Sequence, residues 1–125
     1  MEVAVSARFE VLDQKSTPMG EVSLWRRREP TLDVDVYEVK LNDEYLMSSL
    51  FPVAEIELAR LGLAQTRAAQ LDVLVGGLGL GYTARTALDD PRTRTLTVVE
   101  ALPEVISWHQ RDLLPDTVGL AADKR

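Results

Sequence analysis

The sequence contains no cysteine. Without thiols there is neither a disulfide framework nor a thiolate metal site. It has a single histidine, His109, whereas zinc is held by sets of histidine, cysteine or carboxylate ligands, so no metal is expected. Positive charge is scarce: 14 lysines and arginines stand against 20 aspartates and glutamates, for a net charge of −6. Nucleic-acid surfaces draw their affinity from clustered cations that release counterions, so no nucleic-acid partner is expected. No apolar run approaches the length of a membrane span, which leaves no membrane partner either. Met1-Glu2-Val3 lacks the basic region and apolar stretch of a secretion signal, and a cytoplasmic location is the expectation. What remains is 46% apolar and 27% charged residues, an ordinary globular composition in a chain long enough for a modest core.

Val3, Val5, Ala7, Phe9 and Val11 alternate with other residues, the period of a half-buried strand. Ser16-Thr17-Pro18-Met19-Gly20 reads as a turn, and Val22 and Leu24 open a second strand that Glu29-Pro30 ends. The intervening Arg26-Arg27-Arg28 reads as a solvated strand edge, where charge discourages further pairing. Residues 34–39 alternate again, Leu41-Asn42-Asp43-Glu44 turns the chain, and Tyr45-Leu46-Met47 returns it as a hairpin. Residues 1–50 are therefore expected to form a small antiparallel β unit. Ser48-Ser49 before Pro52 reads as a helix cap with proline in the first turn. The apolar Val53, Ile56, Leu58, Ala59, Leu61 and Leu63 give that helix a broad buried face, and Gly62 is a plausible stop.

The second half is organised around Leu71-Asp72-Val73-Leu74-Val75, an apolar run of strand length that breaks into Gly76-Gly77-Leu78-Gly79-Leu80-Gly81. Tyr82 to Leu88 reads as a helix with Asp89-Asp90-Pro91 as its exit, and Leu96-Thr97-Val98-Val99 is a second apolar strand ending on Glu100. Strand, glycine loop, helix, strand and acid in that order describe a nucleotide-binding βαβ unit. Glycine lets a backbone approach a ligand closely. The helix behind it offers free N–H groups and a partial positive charge. Glu100 follows Gly81 by close to the ~20-residue offset of an acid that takes ribose hydroxyls, although an acid at a strand tip also caps the next helix. The spacing Gly77-x-Gly79-x-Gly81 departs from Gly-x-Gly-x-x-Gly and shifts weight from dinucleotides to adenosyl-sulfonium ligands. No loop lysine precedes a serine or threonine, which excludes a P-loop. Tyr82 reads as a packing residue. Pro103 opens a further helix carrying Val105, Ile106, His109 and Leu113, ended by Leu114-Pro115-Asp116. His109 is expected to lie away from the loop, and the tail from Asp116 to Arg125 carries weak structure signals.

The run from Val73 to Gly81, then Leu96-Thr97-Val98-Val99-Glu100 and Pro103-Glu104-Val105-Ile106, resembles the start of the catalytic domain of spermidine synthases. These aminopropyltransferases have the class I S-adenosylmethionine methyltransferase fold behind a small N-terminal β domain. The resemblance implies an α/β chain: an antiparallel β unit over 1–50, then the first βαβα portion of a Rossmann-like domain over 51–125. It implies that Gly77, Gly79 and Gly81 lie against the ligand and that Glu100 binds its ribose. The ligand would be S-adenosylmethionine or its decarboxylated form, used as substrate without a metal, and the partner a small-molecule amine or methyl acceptor.

Leu78 and Leu80 leave the loop without the aspartate usual in that family. Of its tyrosine-histidine-glutamate cluster, Val53-Ala54-Glu55 retains at most the glutamate. Methyl transfer on the same fold therefore stands as an alternative to aminopropyl transfer, and a non-catalytic assembly or regulatory module as another. The family's adenine-binding acid and its catalytic aspartate follow a third and a fourth strand that these residues do not supply. The expectation is a truncated fragment, inactive alone, with an exposed apolar sheet edge that favours a homo-oligomer.

Overall fold

Val22, Leu24, Val36 and Val39 are almost wholly withdrawn from solvent, and they mark the centre of an antiparallel sheet. The computed structural model describes residues 9–125 and divides at Phe51/Pro52 into two compact units. In the first, β1 (Phe9–Thr17), β2 (Gly20–Glu29), β3 (Val34–Leu41) and β4 (Glu44–Ser48) follow one another as a meander. Register sets Leu24 against Val39 and Val22 against Leu41, so β-branched and leucyl side chains meet across neighbouring strands. The alternation over residues 3–8 lies outside the described residues. The turn expected over 16–20 is tighter, because β1 runs on to Thr17, whose hydroxyl donates to the Gly20 carbonyl at 2.7 Å.

The arginine run does not form a sheet edge. β2 is an interior strand between β1 and β3, and each guanidinium finds a carboxylate. Arg26 pairs with Glu10, Arg27 with Glu38 at 2.6 Å and Glu29 at 3.1 Å, and Arg28 with Asp33 at 2.5 Å. Alternation within β2 could not reveal this, because Glu10 and Glu38 arrive on the neighbouring strands.

The second unit begins with α1 (Val53–Ala64), which starts from Pro52 without a side-chain cap. Ser49 instead accepts the Tyr37 N–H at 2.8 Å, and Ser48 that of Leu50 at 3.1 Å. Gly62 does not stop α1, which ends two residues later. Arg92 closes that end: its guanidinium donates to the carbonyls of Leu63 and Thr66 and is held by Asp90. β5 (Leu71–Gly76) and β6 (Thr93–Val99) are parallel, joined through α2 (Tyr82–Asp89). The small Ala84 and Ala87 of α2 are buried, and the Thr93 hydroxyl donates to the Ala87 carbonyl at 2.6 Å. Val75 is buried, while Leu74 and Val99 are 71% and 61% exposed. Among the described residues the parallel pair is thus covered on one face only, where parallel strands generally bury both.

α3 (Pro103–Gln110) starts on its proline as expected and carries Val105 and Trp108 into the core. It ends before Leu113. The tail is more ordered than its composition indicates, with 3-10 turns at Pro115–Thr117 and Leu120–Ala122. The Leu96 N–H then donates to the Arg125 carbonyl at 3.0 Å. Among the described residues no helix is long and apolar enough to cross a membrane.

Candidate functional site

The glycine loop leaves the carboxyl end of β5 and stays tied to β6 for one more residue, through the Gly77 N–H and the Val99 carbonyl at 2.8 Å. Gly77, Gly79 and Gly81 all have positive φ, at 88°, 51° and 89°. Between them the Gly81 N–H donates to the Leu78 carbonyl at 2.8 Å, closing a tight turn. Gly81 is then the cap of α2, whose first bond runs from the Arg85 N–H to the Gly81 carbonyl. The positive end of α2 therefore faces the loop.

Glu100 stands at the tip of β6, directly against this turn. One carboxylate oxygen accepts the N–H groups of Leu78 at 3.0 Å and Gly79 at 3.4 Å; the other accepts that of Leu102 at 3.0 Å. Burial alone would raise this carboxyl. The backbone donors of Leu102, Leu78, Gly79 and Ala101 outweigh burial and hold it below its ordinary 4.5. Glu100 is thus an ionised group that joins the loop, the strand tip and the start of α3.

The three glycines are not equivalent. A side chain on Gly77 would meet nothing within 4 Å, whereas one on Gly81 would lie 2.7 Å from His109 Cε1 and 2.9 Å from Leu120 Cδ2. Gly81 is glycine because protein packs on it, and Gly77 faces open space.

His109 is not remote from the loop. It is 3% exposed, and its Nε2 lies 2.8 Å from the Gly79 carbonyl. A carbonyl only accepts, so Nε2 carries the hydrogen and Nδ1, buried without a partner, does not. Burial lowers the imidazole from its ordinary 6.5; the Gly79 bond and the charges of Asp112 and Glu100 oppose this without cancelling it. Thr117 adds a second tie, its hydroxyl donating to the Leu80 carbonyl at 3.0 Å. Tyr82, expected to be a packing residue, donates its hydroxyl to Asp116 at 2.6 Å. A cavity of about 280 Å3 borders Leu78, Glu100 and His109, with Leu96, Val98 and Ile106 among its apolar walls. Among the described residues no group of three or more histidine, cysteine or acidic side chains could hold a metal ion.

Sequence reasoning brought Gly77, Gly79, Gly81 and Glu100 to one place, and the structure sets them together. It missed His109 and Thr117. Their helical and turn positions carry no local mark of contact with a loop some thirty residues earlier.

No protein-family model and no curated protein sequence matches the chain. Among solved structures, spermidine synthase from Thermotoga maritima superposes with a TM-score of 0.69 at 17% identity, over 87% of this chain. The chain has the fold of the N-terminal region of spermidine synthases. A spermidine synthase in complex with the transition-state analogue AdoDATO matches with the same TM-score, identity and share of this chain. The chain spans 37% and 36% of the length of these two spermidine synthases. The four-stranded meander and the β5-loop-α2-β6 unit with its helices are the α/β architecture expected of that region.

Proposed function

We propose that this chain binds an adenosyl sulfonium, decarboxylated S-adenosylmethionine or S-adenosylmethionine, at the glycine loop, and that the associated chemistry is aminopropyl transfer to an amine. The observation that carries the reading is the contact of Glu100 with the Leu78 N–H at 3.0 Å. It brings the acid against the loop at the carboxyl ends of two parallel strands, where open α/β sheets hold their ligands. A carboxylate offers about four acceptor positions, and the backbone N–H groups of Leu78, Gly79, Leu102 and Ala101 all turn to them. The Gly79 contact is long, at 3.4 Å, and is the one a ribose diol would displace. The open side of Gly77 supports the reading, since a ligand could approach the main chain there without displacing protein. The fold shared with a spermidine synthase that holds AdoDATO supports the ligand class.

In the transfer itself an amine attacks a carbon next to the sulfonium, the C–S bond breaks and its electron pair leaves on the sulfur of methylthioadenosine; the protein's contribution is to position the donor and to take the amine's proton. Glu100 and the loop would do the positioning. Calorimetric titration with decarboxylated S-adenosylmethionine, S-adenosylmethionine and methylthioadenosine tests the proposal. Tighter binding of the decarboxylated donor fits aminopropyl transfer, and tighter binding of the carboxylated one transfers the reading to a methyl donor. Glu100→Ala should weaken the preferred ligand by about 1–3 kcal/mol, the worth of charge-assisted hydrogen bonds. If none of the three binds, the nucleotide reading fails and a non-catalytic module of this fold is left.

A further inference from the structure

We propose that His109, together with Thr117, is a positioning pair that selects the ligand-competent state of the glycine loop by holding its carbonyls from behind; this rests on the adenosyl-binding reading above.

The main-chain bonds of the loop show why such a pair is needed. On the front, the amides of Leu78 and Gly79 point at Glu100. On the back, the Gly79 carbonyl accepts from His109 Nε2 and the Leu80 carbonyl from the Thr117 hydroxyl. Gly79 stands at φ 51° and has no Cβ to restrict its ψ, so the direction of its carbonyl, in the peptide that follows, is set by the groups that bond it. Rotating that peptide would turn its carbonyl away from His109 and toward the face where the loop meets Glu100. A carbonyl there would oppose the carboxylate. His109 blocks this rotation because leaving it would orphan a buried N–H.

The seat of the imidazole is itself built. Gly81 has no side chain where His109 Cε1 lies, and Leu120 and Thr117 close the same space. His109 and Thr117 are both buried, at 3% and 2% exposed, and each spends its donor on a loop carbonyl. Their effect passes through the loop. Packing alone would not require a nitrogen at this position, since an apolar side chain would fill it and leave no orphaned Nδ1.

The test uses methylthioadenosine as probe with His109→Leu, His109→Gln and Thr117→Val, reading affinity by calorimetry and, without ligand, hydrogen exchange at the Gly79 and Gly81 amides. His109→Leu keeps apolar bulk and removes the donor. It should weaken binding about tenfold and speed loop exchange by a similar factor, the worth of one hydrogen bond. Thr117→Val should act in the same direction, and it carries the test if the leucine variant does not fold. His109→Gln, whose amide nitrogen can donate to Gly79, should return both readouts to within about threefold of wild type. Wild-type affinity and exchange in His109→Leu, or glutamine behaving as leucine, would overturn the inference. If wild type binds no probe, the adenosyl reading has failed, and loop exchange still decides the positioning role.

Discussion

Replacing Glu100 by glutamine changes one charge and almost no volume, so it isolates what the carboxylate does. Its two oxygens accept the backbone N–H groups of Leu78, Gly79 and Leu102, with Ala101 as a further donor. A charge-assisted hydrogen bond contributes about 1.5–3 kcal/mol and a neutral one about 0.5–1.5 kcal/mol. Glutamine retains one acceptor oxygen. Facing the loop, that oxygen still serves Leu78, but its amide nitrogen then opposes the Leu102 N–H, and that bond is lost. The Gly79 contact, at 3.4 Å, adds little. Partial exposure of the group lets water recover some of the loss, so the net cost is about 2 kcal/mol.

Trp108, fully buried on α3 beside this site, reports the unfolding of this unit. A Trp25→Phe background leaves it as the sole tryptophan of the chain. In urea, with a slope of ~1–2 kcal/mol per molar for a unit of this size, the midpoint should fall by roughly 1 M. The pH dependence gives an independent check. The Glu100 carboxyl is held below 4.5 in the folded chain, so its stabilisation is complete above that pH and lost as pH falls through the folded value. The difference between wild type and Glu100→Gln should therefore be largest near neutrality and close in acid, where a protonated glutamate resembles glutamine. A shift below ~0.5 kcal/mol at pH 7, within the range of an ordinary surface substitution, would show that the carboxylate does not organise the loop.

Two further predictions concern stability away from the acid. Gly77→Ala and Gly81→Ala impose the same backbone strain, since φ is 88° and 89°, but only alanine at 81 collides with His109 and Leu120. Gly81→Ala should be the more destabilising by about 1–3 kcal/mol, the usual cost of overpacking, and equal denaturation midpoints would refute the packing role given to Gly81. Arg92→Ala removes the donors to the Leu63 and Thr66 carbonyls and should lower the denaturation midpoint, with faster amide exchange in the last turn of α1. Lysine should not rescue it, because a single ammonium cannot reproduce the planar fork.

What could be read from the residues alone was local. The β5-loop-α2-β6-Glu100 order lies within thirty residues, each step carries its own physical mark, and an acid at a strand tip needs no distant partner to be placed. The meander was legible for the same reason, since alternation and turn residues act over a few positions. Where the reading failed, the deciding partner was far away in sequence. The arginines of β2 looked like an edge because Glu10 and Glu38 are brought to them only by strand pairing. Ser48 and Ser49 looked like helix caps because the Tyr37 amide that claims Ser49 sits on another strand.

The candidate site divides along the same line. The sequence by itself determined that a glycine loop and an acid would meet, because a parallel βαβ unit brings the carboxyl ends of its two strands together. Only the tertiary structure decided how that loop is held. His109 reaches Gly79 across thirty residues and Thr117 reaches Leu80 across thirty-seven. Both contacts depend on the rotation of α3 about its axis and on the path of the tail. Neither follows from a residue's own spacing, because packing of the whole unit sets that rotation and that path.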